Sequence, residues 1–230
     1  MATKTADPDK AFASLEDESQ LKWLLLDSPM AEGLFAAHYL DLELDPYQVF
    51  ILRLLRGRFH SDEEIWRFIN DNEMDWMFDN GWMRHVTPEG SPKDGVSPDY
   101  WTKPNVLILV PAGFGKTTLV TTRVLPVMEI CDNPNARTQY IGKNETEAFS
   151  FSTSIRQELM NPKLVADFGR FQPSDRSIPW ANQAFSVEQR QFRDVRENAE
   201  FYGTNSHAAL GKRSDRVLID DIETPAAVLG

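Results

Sequence analysis

Lys116 and Thr117 close a glycine-bearing turn, VPAGFGKTT (110–118), that directly follows the apolar residues Val106, Leu107, Ile108 and Leu109. An apolar strand that turns through glycines into a helix aims backbone N–H groups and the positive helix end at one point, an arrangement suited to phosphate oxygens. Gly113 and Gly115 permit close approach and positive φ. Pro111, Ala112, Phe114 and Thr118 complete the segment that would wrap the phosphates. Lys116 would reach the β- and γ-phosphates of a nucleoside triphosphate, and the Thr117 hydroxyl would ligate a Mg2+ bridging them. The common form of this loop, G-x-x-x-x-G-K-[ST], has glycine where this chain has Val110. That exchange removes no donor. Pro111 does lack an N–H, but only where the chain is still leaving the strand.

Such a cradle needs an acid at a neighbouring strand end. RVLIDDIE (216–223) supplies it: Val217, Leu218 and Ile219 form a short apolar strand, and Asp220 follows at its carboxyl end. Ligands gather at that end in open α/β sheets. Asp220 would hold the Mg2+ shell. Either Asp221 or Glu223 would polarise the attacking water. Aspartate is one methylene shorter than the glutamate often found there, so with Asp221 the water must sit nearer. A charged turn after a strand is common in itself; its pairing with the glycine loop is what points to chemistry.

Periodicity defines the elements that must position these groups. Residues 15–57 carry helical spacing. SLEDESQLKWLLLDS sets Leu21, Trp23, Leu24 and Leu25 behind an acidic first turn, and Asp27-Ser28-Pro29 stops it. AEGLFAAHYLDL repeats apolar groups at Leu34, Phe35, Ala37 and Leu40. PYQVFILRLLRGR follows Asp45, an N-cap, with Pro46 at the first helical position. Its Arg53, Arg56 and Arg58 suit the negative end of that helix. SDEEIWRFIND (61–71) is a further capped helix with a solvated acidic face. Residues 72–103, rich in Trp, Pro and Gly, read as a hairpin or irregular insertion, with 86–104 a loop over Trp76, Trp82 and Trp101.

Downstream the rhythm changes. NVLILV is a strand, KTTLVTTRVLPVMEICD (116–132) one helix, and 137–143 a strand. A helix capped by Asn144 runs to Pro162. Strands follow at 184–189, 199–204 and 216–221, and Trp180 packs on the sheet. This alternation predicts an α/β layer, a mostly parallel sheet flanked by helices. The expected divisions are a mobile tail (1–14), an N-terminal helical segment (15–104) and a core (105–230).

Bulk properties narrow the classes. The 35 acidic residues outnumber the 24 basic ones among 230, a formal net charge of −11. A chain-wide basic footprint for nucleic acid is therefore absent, and DNA contact would need a local patch. Mean hydropathy is −0.42, and no run approaches the ~18 apolar residues of a membrane span. The N-terminus lacks the pattern of a secretory signal. Cys131 is the single cysteine, which excludes a disulfide framework and suits a reducing cytosol. Histidines 38, 60, 85 and 207 are scattered, giving zinc little support.

Taken together, the chain resembles the N-terminal ATPase region of tailed-bacteriophage terminase large subunits. The resemblance rests on LDPYQ (44–48), PAGFGKTT (111–118), RTQYIGKNETEAFSFSTSIRQELMNPKLVADFG (137–169) and LGKRSDRVLIDDIE (210–223). It implies a P-loop NTPase fold of the ASCE type with an N-terminal helical extension. It implies Mg2+-dependent ATP hydrolysis coupled to translocation of double-stranded DNA into a procapsid. The implied setting is a homo-oligomeric ring in the host bacterial cytoplasm, with the small terminase subunit and portal protein as partners.

The resemblance also implies that Gln48 reads the adenine edge with Tyr47 as packing surface. An arginine finger would act in trans from the basic run Lys212, Arg213 and Arg216, with Arg213 the choice. Two departures stand out: Ala112 replaces an arginine common in relatives, and Asp221 replaces a glutamate. In the family a coupling motif, a lid and a nuclease domain follow the second acidic motif. The end at Gly230 therefore predicts a truncated core with an exposed sheet edge, and hydrolysis by an isolated monomer, without an inserted arginine, is expected to be slow. Two rivals are a helicase-like DNA translocase and an inactive nucleotide-binding or assembly module.

Overall fold

The computed structural model describes residues 18–74, 76, 115–191, 197–206 and 214–220. The chain divides into two compact units, Met1–Phe114 and Gly115–Gly230. The expected tail, the insertion beyond Trp76 with Trp82 and Trp101, and the expected strand 105–110 lie outside the described residues. No described helix is long and apolar enough to cross a membrane.

The described residues of the first unit are helical: α1 (Glu18–Leu26), α2 (Ala31–Leu40), α3 (Pro46–Leu55) and α4 (Asp62–Asp71). Local chemistry sets the boundaries. The Ser28 hydroxyl donates to the Leu24 carbonyl at 2.7 Å as α1 ends. At the start of α3, Asp45 and Gln48 form a reciprocal capping box with Pro46 inside it. Ser61 Oγ accepts from the Glu64 N–H at 3.2 Å and caps α4. Phe50, Phe59, Ile65, Ile69 and Met74 form a buried cluster, with Tyr47, Leu54, Phe68 and Trp76 packed against it. Burying each such large side chain contributes about 1.5–3 kcal/mol.

Arg53, Arg56 and Arg58 do not serve their own helix end alone; they reach back to α1 and α2. Arg56 and Arg58 both donate to the Leu26 carbonyl at 2.9 Å, and Arg53 donates to the Pro29 carbonyl at 3.0 Å. The reason is the negative pole of α1, whose last carbonyls lack intrahelical partners. Arg56 also pairs with Glu32 at 2.8 Å, both side chains almost fully buried. Arg53 lies over the Phe59 and Phe68 rings, and burial lowers its pKa. This arginine cluster holds the helices together.

The second unit is a mixed α/β layer. Among the described residues its strands are β1 (Thr138–Gly142), β2 (Ala184–Phe185), β3 (Ala199–Gly203) and β4 (Arg216–Ile219), in the order β2-β3-β1-β4. β1 is parallel to both β3 and β4, and β2 is an antiparallel edge. The mostly parallel sheet is as the sequence pattern implies. Its helices are α5 (Val124–Asp132), α6 (Glu145–Leu159) and α7 (Pro162–Phe168), preceded by a π-helical segment, Thr117–Thr122. Tyr140, Phe185 and Phe201 pack as a row of rings along the sheet. Trp180 lies against Phe185 with ring centroids 5.3 Å apart, packing on the sheet as expected.

Three expectations need correction. Residues 116–132 are not one α-helix: the wide π segment ends at Arg123 (φ −128°, ψ −68°) before α5 begins. Pro126 is the physical cause, because its ring would clash with the Thr122 carbonyl of a continuous α-helix. The helix capped by Asn144 ends at Leu159, and Asn161-Pro162 starts α7, with Asn161 Oδ1 accepting from the Lys163 N–H at 2.9 Å. The strand expected over 184–189 is only two residues long. The Ser186 N–H turns away to the Pro179 carbonyl and the Glu188 N–H to the Phe171 carbonyl.

Candidate functional site

Gly115 adopts φ +75°, a left-handed conformation that side chains disfavour, and Lys116 begins the helical segment. The Leu119 N–H closes the first turn on the Gly115 carbonyl at 2.9 Å. The amides at the start of such a segment lack intrahelical acceptors and point out of its end. Thr117 and Thr118 follow, both half-buried. Pro111, Ala112, Gly113 and Phe114 lie outside the described residues.

At the end of β4 the Asp220 N–H donates to the Ile141 carbonyl at 3.0 Å, extending the ladder with β1. Its side chain turns to the glycine-led segment: the Thr121 hydroxyl lies 3.1 Å from Asp220 Oδ2. The same hydroxyl lies 3.0 Å from the Thr117 carbonyl. The strand-end carboxylate and the segment opened by Lys116 thus meet, across 99 residues of sequence. No cation among the described residues pairs with Asp220.

Parallel register lines up the neighbouring strand ends. Gly142 pairs with Gly203, and Ile141 with Ile219. At this carboxyl rim the Lys143 N–H donates to Glu147 Oε2 at 2.7 Å, and Asn144 caps α6 as expected, accepting from the Glu147 N–H at 2.9 Å. The Thr204 hydroxyl donates to the Lys143 carbonyl at 2.9 Å. A Cβ on Gly203 would come within 2.6 Å of the Glu145 nitrogen, so glycine lets β3 finish against the start of α6. The rim therefore carries Asp220, Lys143 and Thr204, the position at which open α/β sheets receive ligands.

The donor chemistry fits one class of metal. Among the described residues no three His, Cys, Asp or Glu side chains converge on a metal position. Thr117 and Asp220 are hard oxygen donors on neighbouring elements. Mg2+ is commonly held by so few protein ligands, with water and phosphate oxygens completing the octahedron.

The remaining sequence-derived residues fall elsewhere. Arg216 stands at the opposite rim, where Nη1 pairs with Glu129 Oε1; its guanidinium serves the fold. Arg213, Asp221 and Glu223 lie outside the described residues. Gln48 and Tyr47 belong to the first unit. Gln48 Oε1 accepts from the Asp45 N–H at 2.9 Å. Tyr47 packs beside Trp76, centroids 6.3 Å apart, and burial followed by the Asp45 charge raises its phenol pKa. Sequence reasoning missed Thr121. Its signal was present, a threonine one turn beyond Thr117, but nothing local names its partner.

No protein-family model matches the chain, and no curated protein or solved structure matches it significantly.

Proposed function

We propose that this chain is the ATPase portion of a DNA-packaging motor of the terminase large-subunit type, built on a P-loop fold of the ASCE kind. One observation carries the reading. The carboxylate at the end of β4 bonds to the segment that opens with Gly115-Lys116-Thr117, the adjacency that a shared metal–triphosphate requires. Lys116 binds the β- and γ-phosphates through its ammonium group. Thr117 and Asp220 hold Mg2+, which when bound neutralises charge on the phosphates. Asp221 or Glu223 orients the attacking water, and Arg213 of a neighbouring subunit stabilises charge on the transferred phosphoryl group. Double-stranded DNA is the translocated substrate, with the portal protein and small terminase subunit as docking partners.

Binding of a fluorescent ATP analogue and phosphate release, with and without double-stranded DNA, test the proposal. The parent chain should bind the analogue and release phosphate slowly, because hydrolysis without an inserted arginine is slow. Lys116→Ala should lower affinity by about 10-fold or more, the loss of roughly 1.4 kcal/mol or more of charge-assisted bonding. Equal binding by Lys116→Ala sinks the phosphate assignment. Tight binding with no release, unchanged by DNA and partner proteins, supports the assembly-module reading instead.

A further inference from the structure

The π-helical turn brings two threonine hydroxyls to the Thr117 carbonyl, and the arrangement has a consequence for Asp220. Thr121 Oγ1 and Thr122 Oγ1 each lie 3.0 Å from the Thr117 carbonyl oxygen. An α-helical turn brings a threonine hydroxyl back to the carbonyl four residues earlier. The wider turn brings the hydroxyl five residues on to the same oxygen. Thr121 Oγ1 has in addition Asp220 Oδ2 at 3.1 Å. A hydroxyl carries one proton, so the Thr121 proton has two acceptors, while the Thr117 carbonyl also receives the backbone N–H five residues on in the π-helical ladder.

The Thr117 carbonyl therefore does not depend on the Thr121 proton. If Thr122 satisfies the Thr117 carbonyl, the Thr121 proton is released to the carboxylate and no buried acceptor is stranded. Thr121 is only 1% exposed, so water cannot readily replace its hydroxyl. A bond to an ionised acceptor is also stronger than one to a neutral carbonyl. Asp220 Oδ2 is thereby anchored to the helical segment while its backbone is anchored to β1, which restrains the carboxylate from both ends.

We propose that Thr121 is a positioning residue for the metal-binding carboxylate, and that Thr122 directs its proton to that task. The inference rests on the nucleotide-binding reading given above. It places the hydroxyl that orients the metal ligand one turn beyond Thr117.

The test is a Mg2+ titration of fluorescent ATP-analogue binding by the full chain, with the metal-free affinity measured in EDTA. Removing a partner that orients a metal ligand typically costs 10–100-fold in metal affinity. Thr121→Val should raise the Mg2+ concentration needed for half-maximal enhancement by about 10-fold, with metal-free affinity unchanged, and Thr121→Ser should restore it. Thr122→Val draws the Thr121 proton back to the Thr117 carbonyl and should produce a smaller shift, about 3-fold. An unchanged Mg2+ requirement in Thr121→Val overturns the proposal. So does an equal loss of metal-free binding, which marks a structural role alone. If Thr121→Val does not fold, the half-buried Thr122→Val decides by the same criterion. Failure of the parent to bind in a Lys116-dependent manner would instead defeat the nucleotide reading itself.

Discussion

At the amino end of the parallel strands, Arg137 grips Asp215 and Arg216 pairs with Glu129; at the carboxyl end of β4, Asp220 meets a threonine. The amino rim is closed further by Asn198, only 2% exposed. Its side-chain amide donates to the Pro134 and Ala136 carbonyls at 2.7 and 3.0 Å, and its oxygen accepts from the Val187 N–H at 2.9 Å. Every polar atom of that amide serves the backbone. The carboxyl rim has ordered loops too, with Lys143 near Glu147 at 3.7 Å, but the acid on β4 is held by a hydroxyl and no described cation. A carboxylate matched by arginine has its charge compensated by the fold. One steadied only by a neutral donor keeps its charge for a cation from outside.

Four measurements can break or sharpen this contrast. Asn198→Ala should have the largest effect on stability, about 3 kcal/mol in denaturant unfolding, because it strands a buried N–H and two carbonyls at the amino rim. A loss under about 1 kcal/mol would mean that the rim is not held there. Gly203→Ala should cost about 2 kcal/mol, since the new methyl must push aside the backbone at the start of α6. A neutral result would show that the carboxyl rim yields easily.

Asp220→Asn should change stability by no more than about 0.5 kcal/mol while removing Mg2+-dependent enhancement of ATP-analogue binding. Marked unfolding by this variant would make the acid structural and erase the difference between the rims. The smallest effect concerns pH. Hydrogen bonding from Arg137 lowers the Asp215 pKa, against a smaller opposing effect of burial. A depressed folded-state pKa contributes stability above the unfolded value of about 3.9, lost as pH falls through the lower folded value. The pair is about half exposed, so the contribution should stay below about 1 kcal/mol. Asp215→Asn should flatten the acid limb by that amount, measured as midpoint shifts from pH 5 to pH 2.

Much of the local structure was legible because its causes lie within a few residues. Asp45, Ser61 and Asn144 mark helix starts through bonds three residues long, and alternation of strand with helix implied the mostly parallel sheet. Other local signals were available but outweighed by apolar periodicity. Pro126 interrupts 116–132, Asn161-Pro162 starts α7, and Asp45 with Gln48 spells a capping box as well as the motif associated with base reading. The arginines after α3 read naturally as partners of their own helix end. Their contacts with Leu26 and Glu32 span 24 to 32 residues, which no local rule supplies. Of the candidate site, residue types and order were readable; Thr121 was not, because its role depends on a partner carried by another strand.

By itself the sequence determined the punctuation of the helices, the glycine that admits a left-handed turn before Lys116, and an acid placed to follow an apolar strand. Those depend on φ preferences, caps and periodicity, all of which act within about one turn. Tertiary structure alone decided that Asp220 would lean on Thr121 and that Arg216 would be taken by Glu129. Strand order and register decide which distant side chains meet, and a one-residue slip of β4 would turn each of its side chains to the other face.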